Sequence, residues 1–139
     1  HSTDEEKDIR FNIAKAYFYL NNFYQAATEV KDLLKILRPE DSKFEYLAFR
    51  GNILLTTKKH DEAAAVFEDL IKHYPEEAMK ENVQLSLAVT FEEKGDLNKA
   101  ISVLEGVKKI HPSPEFIELR INRIRERMAN LPGAGGFEK

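Results

Sequence analysis

The chain has 139 residues, 42% of them hydrophobic and 32% charged, and a formal net charge of −3. That balance suits one folded domain with a single buried face per element, and it excludes a global field drawing the chain to nucleic acid or an anionic bilayer. The absence of cysteine removes thiol chemistry, disulfide frameworks and cysteine-bound zinc. Apolar runs are only a few residues long, far short of the ~20 that span hydrocarbon, so no direct membrane insertion is expected. No secretory signal and no Asn-x-Ser/Thr acceptor is visible. The chain opens at His1 rather than Met, and residues 1–3 are read as a disordered remnant of an excised or processed chain.

From residue 4 onward the sequence divides into helical stretches. Thr3 and Glu6 have the spacing of a capping box, which satisfies free amides at a helix start. Ile9, Ile13, Ala14, Tyr17 and Leu20 then recur at helical intervals. Asn21-Asn22 marks a turn, and Phe23, Ala26, Ala27, Val30, Leu33, Leu34 and Leu37 outline a second helix. Residues 41–77 repeat the plan. Ser42 and Glu45 have capping-box spacing, Leu47, Gly51 and Leu54 follow, and after Lys58-Lys59 come Ala63, Ala64, Phe67, Leu70, Ile71 and Tyr74. Residues 78–113 carry Leu87, Ala88 and Phe91, a Gly95 fitted to the positive φ just past a helix end, then Leu97, Ala100, Ile101, Leu104, Val107 and Ile110. Lys72, His73, Lys108 and Lys109 sit where last turns favour positive charge.

Ser113-Pro114-Glu115 offers a cap, a proline at the first helical position and an acid near the positive helix end. The helix predicted over 114–129 has Ile117, Ile121, Ile124 and Met128 on one face and Arg120, Arg123 and Arg127 on the other. The end, 131–139, is Gly-rich and reads as a flexible tail.

These stretches are copies of one unit. Ala26, Ala63 and Ala100 lie 37 residues apart, as do Pro75 and Pro112, with Arg38-Pro39 in the matching place of the first unit. A unit of that size cannot bury its apolar face alone, so three in register imply a stacked array. The expected fold is all-α: a right-handed α-α superhelix over residues 4–130, with units at about 4–40, 41–77 and 78–113 and the closing helix as cap.

The pattern resembles the tetratricopeptide repeat. The small residue of the first helix is Ala14, Gly51 and Ala88, and the large one three on is Tyr17, Leu54 and Phe91. Ala26, Ala63 and Ala100 open the second helix, followed four later by Val30, Phe67 and Leu104. Two features depart from the family: the period is 37 instead of 34, and the usual first-turn aromatic is replaced by Arg10, Leu47 and Gln84. The stretch from Tyr74-Pro75 through Gly95-Asp96 to His111-Pro112 is similar to longer units of bacterial envelope proteins, including the periplasmic coordinator of the Tol-Pal system and outer-membrane assembly lipoproteins. A cytoplasmic and a bacterial periplasmic location are both compatible with the chain.

What the resemblance implies is a non-enzymatic scaffold that holds a peptide or amphipathic helix of another protein in a concave groove. Carried over by position, the groove residues are Phe11, Lys15 and Phe18, then Ala48, Asn52 and Leu55, then Leu85, Val89 and Glu92. Apolar members of that set also suit packing between neighbouring helices. Arg120, Arg123 and Arg127 form a secondary candidate surface, although Glu115, Glu118 and Glu126 dilute its charge. Some family members clamp a chaperone's C-terminal carboxylate with several basic and asparagine side chains. Only Lys15 and Asn52 match that set here, which argues against such a ligand. The rival role is self-association, for example as a homodimer, or service as a spacer within a larger protein.

No active site is legible. His1, His60, His73 and His111 lack metal-ligand spacing, and His60 sits where a packed histidine is expected. Gly133-x-Gly135-Gly136 has neither the preceding strand nor the following helix of a phosphate loop. Glu76-Glu77 and Glu92-Glu93 suit helix starts and solvated faces. The expectation is therefore no enzyme activity, no cofactor and no metal.

Overall fold

The computed structural model describes residues 3–132; residues 1–2 and 133–139, with the Gly-rich tail, lie outside that range. Within it there are eight helices and no strand: α1 (Asp4–Tyr19), α2 (Phe23–Ile36), α3 (Phe44–Thr56), α4 (His60–His73), α5 (Pro75–Lys80), α6 (Val83–Lys94), α7 (Leu97–Lys108) and α8 (Pro114–Ala129).

The three hairpin turns are one structure built three times. Asn21, Lys58 and Gly95 all take positive φ, at 63°, 65° and 96°. In each turn the next amide reaches back to a carbonyl five residues earlier: Asn22 to Tyr17, Lys59 to Leu54, and Asp96 to Phe91, all at 2.8 Å. A second bond runs from the positive-φ residue to the carbonyl three before it, in Asn21 to Phe18, Lys58 to Leu55 and Gly95 to Glu92. This paired closure satisfies carbonyls that a helix end otherwise orphans. It reverses the chain in two or three residues, so consecutive helices pack antiparallel.

Packing follows the 37-residue register. Ala14, Ala26, Ala63, Ala88 and Ala100 are fully buried, letting helix axes approach. Gly51 is the tightest case: a Cβ there would lie 2.5 Å from Phe67 Cε1. The equivalent pairs are Ala14 with Val30 and Ala88 with Leu104, so the largest side chain faces the smallest residue. Helix α2 packs between α1 and α3, α4 between α3 and α6, and α7 between α6 and α8. The leading helices α1, α3 and α6 thus share one face of the array and α2, α4 and α7 the other. Ile117, Ile121 and Ile124 of α8 are buried against the last hairpin and close the core.

Two local features depart from the sequence-based expectation. Ser42 does not cap through a box with Glu45; its Oγ accepts from the Phe44 amide at 3.3 Å, and α3 starts at Phe44 without a side-chain cap. The junction of the second and third units carries an extra short helix ahead of α6. Pro75 starts α5, and the chain breaks at Asn82, whose φ of 60° is one that asparagine tolerates better than most residues. Ala78 is fully buried and anchors α5 to the core. By contrast, the Thr3 cap forms as expected, with Thr3 Oγ1 accepting from the Glu6 amide at 3.0 Å.

Candidate functional site

The shared face of α1, α3 and α6 contains two joints between successive leading helices, and their side chains differ sharply. At the first joint Phe11, 7% exposed, meets Tyr46 and Phe49 edge-on with ring centroids 4.9 and 5.4 Å away. Phe18 meets the same Phe49 at 5.5 Å and Phe23 at 5.4 Å. Rings from both helices fill the space, and Lys15 lays its Nζ 4.4 Å from the Phe11 ring centre in a cation–π contact.

Thirty-seven residues on, Phe11, Phe18, Tyr46 and Phe49 become Ala48, Leu55, Val83 and Ser86. Four rings are replaced by smaller groups, and the second joint stays open. A cleft of about 510 Å³ lies there between α3 and the α5–α6 pair, within the usual ~300–1,000 Å³ range of ligand pockets. Phe44, Ala48, Phe67 and Val83 supply its apolar surface. Ser42, Tyr46, Asn52 and Ser86 add hydrogen-bonding groups, and Glu45, Glu77, Lys80 and Glu81 its charge. Burial raises the Tyr46 phenol above its ordinary range, and the carboxylates of Asp8 and Glu45 push it further.

The nine groove positions read from sequence are therefore distributed over several environments. Ala48 and Asn52 line the cleft, with Asn52 exposed. Phe11 and Phe18 lie in the ring-filled first joint, and Lys15 beside them. Leu55 and Val89 are half-buried. Leu85 lines a separate hollow with Met79, Val107 and Ile110. Glu92 is engaged by α8, its carboxylate 3.7 Å from Arg120 and 3.8 Å from Arg127, which also donates to the Glu92 carbonyl at 3.3 Å. Of the secondary arginine surface, Arg120 and Arg127 thus tie α8 to α6, while Arg123 is exposed.

Sequence reasoning assigns none of Glu45, Lys80, Glu81, Val83 and Ser86 to a binding site; Glu45 enters it only as half of a capping box. The signal was present in the register, because sliding Tyr46 and Phe49 by one period shows that the second joint lacks its rings. What no period revealed is that α5 folds as a wall.

Charged pairs elsewhere tie elements together. Buried Lys7 donates to Asp41 at 2.7 Å, and Arg38 grips the same carboxylate at 2.9 Å while reaching Asp4 at 3.0 Å. Hydrogen bonds from Arg38 and Lys7 hold the Asp41 carboxyl well below the usual range, and the Asp41 bond raises Lys7. Lys108 lowers the Glu118 carboxyl in the same way, fixing α8 to α7. His60 packs at 3.7 Å from Glu93. His111 Nδ1 accepts from the Ser113 amide at 2.9 Å. Among the described residues no group of three His, Cys, Asp or Glu side chains is placed to hold a metal ion, and no helix is long and apolar enough to cross a membrane.

Stacked antiparallel hairpins in a 37-residue register, a shared inner face and a closing helix define an α-α solenoid of the kind that serves as a protein-interaction scaffold. The chain belongs to the tetratricopeptide-repeat family, whose model matches residues 11–78 and again 50–113. Among solved structures, MamA RS-1 ArsTM double mutant aligns with a TM-score of 0.70 at 19% identity, over 92% of this chain and 68% of that one. A second MamA mutant aligns with a TM-score of 0.66 at 17% identity, over 93% and 72%. At such identities the likeness is one of fold. Comparison with the curated proteins gives no match.

Proposed function

We propose that this chain is an adaptor that holds a peptide or helix of a partner protein on its inner face, with the open second joint as the seat. The observation that carries this reading is the cleft between α3 and α5–α6, which combines apolar walls with exposed Asn52. In such a setting the apolar walls take a partner's apolar side chains, and Asn52 can bond its backbone. An interface confined to so few helices lies at the small end of the usual range, so the affinity is expected on the order of micromolar.

A photo-crosslinking phenylalanine analogue at position 52 tests the seat, with the same group at exposed Glu68 on α4 as the opposite-face control. A partner joined at 52 and absent at 68 is the expected result. Equal adducts at both, or adducts at 68 alone, would remove the inner face from consideration.

A second reading, self-association, is favoured by the bare end of the first unit. Ile9 and Ile13 of α1 and Leu20 just past its end are 53%, 43% and 70% exposed. One period on, Tyr46 occupies the Ile9 position and packs on the preceding unit. Light scattering of wild type against an Ile9→Glu/Ile13→Glu variant checks it; a dimer present only in wild type would favour this reading.

A further inference from the structure

The open joint carries a charge pattern that selects among partners. Glu45 of α3, Glu77 of α5 and Glu81 beside the Asn82 break all line the cleft, with Lys80 as the one cation beside them. Some carboxylates elsewhere are held by cations of a neighbouring helix: Glu92 faces Arg120 and Arg127, Glu105 faces Arg125, and Glu118 faces Lys108. None of Glu45, Glu77 and Glu81 has such a partner among the described residues. Between them lies half-buried Ala48, with the buried Phe67 and Val83 forming the apolar floor beneath it.

Resting on the proposed adaptor role, we infer that the occupant of the second joint is a cationic segment of a partner protein. It would lay an arginine or lysine stem across Ala48 in the cleft, with the charged head among Glu45, Glu77 and Glu81. An acidic or phosphorylated segment meets three carboxylates and is repelled, since like charges brought together select against a partner. The first joint takes no such guest because Phe11, Phe18, Tyr46 and Phe49 already fill it. Two physical requirements thus define the site: the volume left where rings are missing, and the unpaired carboxylates around it.

Both requirements can be removed separately in the full chain. Ser86→Phe restores the ring that Phe49 supplies one period earlier and closes the cleft by volume. A Glu45→Gln/Glu77→Gln/Glu81→Gln variant keeps the shape and removes the charge. The probes are acetylated nonapeptides (Ala-Leu-X)₃ in which X is Arg, Gln or Glu, followed by fluorescence anisotropy, with circular dichroism confirming that each variant folds.

The expected result is binding of the Arg peptide about tenfold tighter than the Gln peptide and no binding of the Glu peptide. The advantage should fall with added salt and vanish in the triple Gln variant, and Ser86→Phe should abolish binding. If Gln and Arg peptides bind wild type equally and Ser86→Phe blocks both, the charge inference fails while the groove reading stands. If Ser86→Phe leaves Arg-peptide binding unchanged, or no peptide binds at all, both fall. A concentration-dependent dimer that Ser86→Phe dissolves would make a second copy the occupant and overturn the proposal of a separate partner.

Discussion

Gly51→Ala is the most direct test of how this array is packed. In an ordinary helix interior the change is favourable by about 1 kcal/mol, because alanine orders its backbone at lower entropic cost. Here the added Cβ would lie 2.5 Å from Phe67 Cε1 and 2.9 Å from Cζ. Ordinary carbon–carbon contact begins near ~3.5 Å, so the ring must move by about 1 Å. It has little room, since Phe67 is among the largest fully buried side chains and sits between α3 and α6. Overpacking of this kind costs about 1–3 kcal/mol against that gain of about 1 kcal/mol, leaving a net loss of up to about 2 kcal/mol. For a chain of this size that lowers Tm by several degrees.

The compensating change is written in the third unit, where Ala88 shares the core with Leu104. Phe67→Leu alone opens a cavity; combined with Gly51→Ala it rebuilds the third unit's pair. A double-mutant cycle from urea unfolding followed at 222 nm should therefore show favourable coupling of about 1 kcal/mol or more. A Gly51→Ala protein more stable than wild type, or a strictly additive cycle, would refute the account of α3–α4 packing.

Two further predictions concern the turns and the ionic seam. Lys58 holds the positive φ that Gly95 holds one period later, so Lys58→Gly should raise stability by about 0.5–1 kcal/mol and Gly95→Ala should lower it by about 1 kcal/mol; equal melting temperatures would sink the turn equivalence. Asp41 has a carboxyl depressed by Arg38 and Lys7, so its contribution is present above the ordinary carboxylate pKa near ~4 and fades as pH falls toward the folded value. Asp41→Asn should be clearly less stable than wild type at neutral pH, with the gap narrowing progressively below about pH 4. Urea midpoints across that range decide it, and a gap independent of pH would show that the Asp41 charge does not matter to the seam.

The repeat was legible in the sequence because its physics is local and recurs. A helix–turn–helix unit needs a small residue at Ala14, Gly51 or Ala88, a residue able to turn at Asn21, Lys58 or Gly95, and an alanine at 26, 63 or 100. Each requirement is met within one stretch of chain, so the spacing alone implied stacked hairpins and a capping helix. The three acids at the second joint carried no comparable signature, since Glu45, Glu77 and Glu81 resemble any solvated helix positions.

What the sequence by itself determined was the unit, its register and hence the family of folds, because those follow from contacts between residues a few positions apart. Only the tertiary structure decided which joint is sealed and which is open. That outcome depends on side chains from different units meeting across the inner face: Phe11 against Tyr46 and Phe49 at the first joint, and Ala48 near Val83 and Ser86 at the second. Tertiary packing likewise joined Lys7 to Asp41 and Glu92 to Arg120 and Arg127, and it turned residues 75–80 into the wall of a cleft. Those pairings are set by how one hairpin rests on the next, and no local pattern in either partner specifies them.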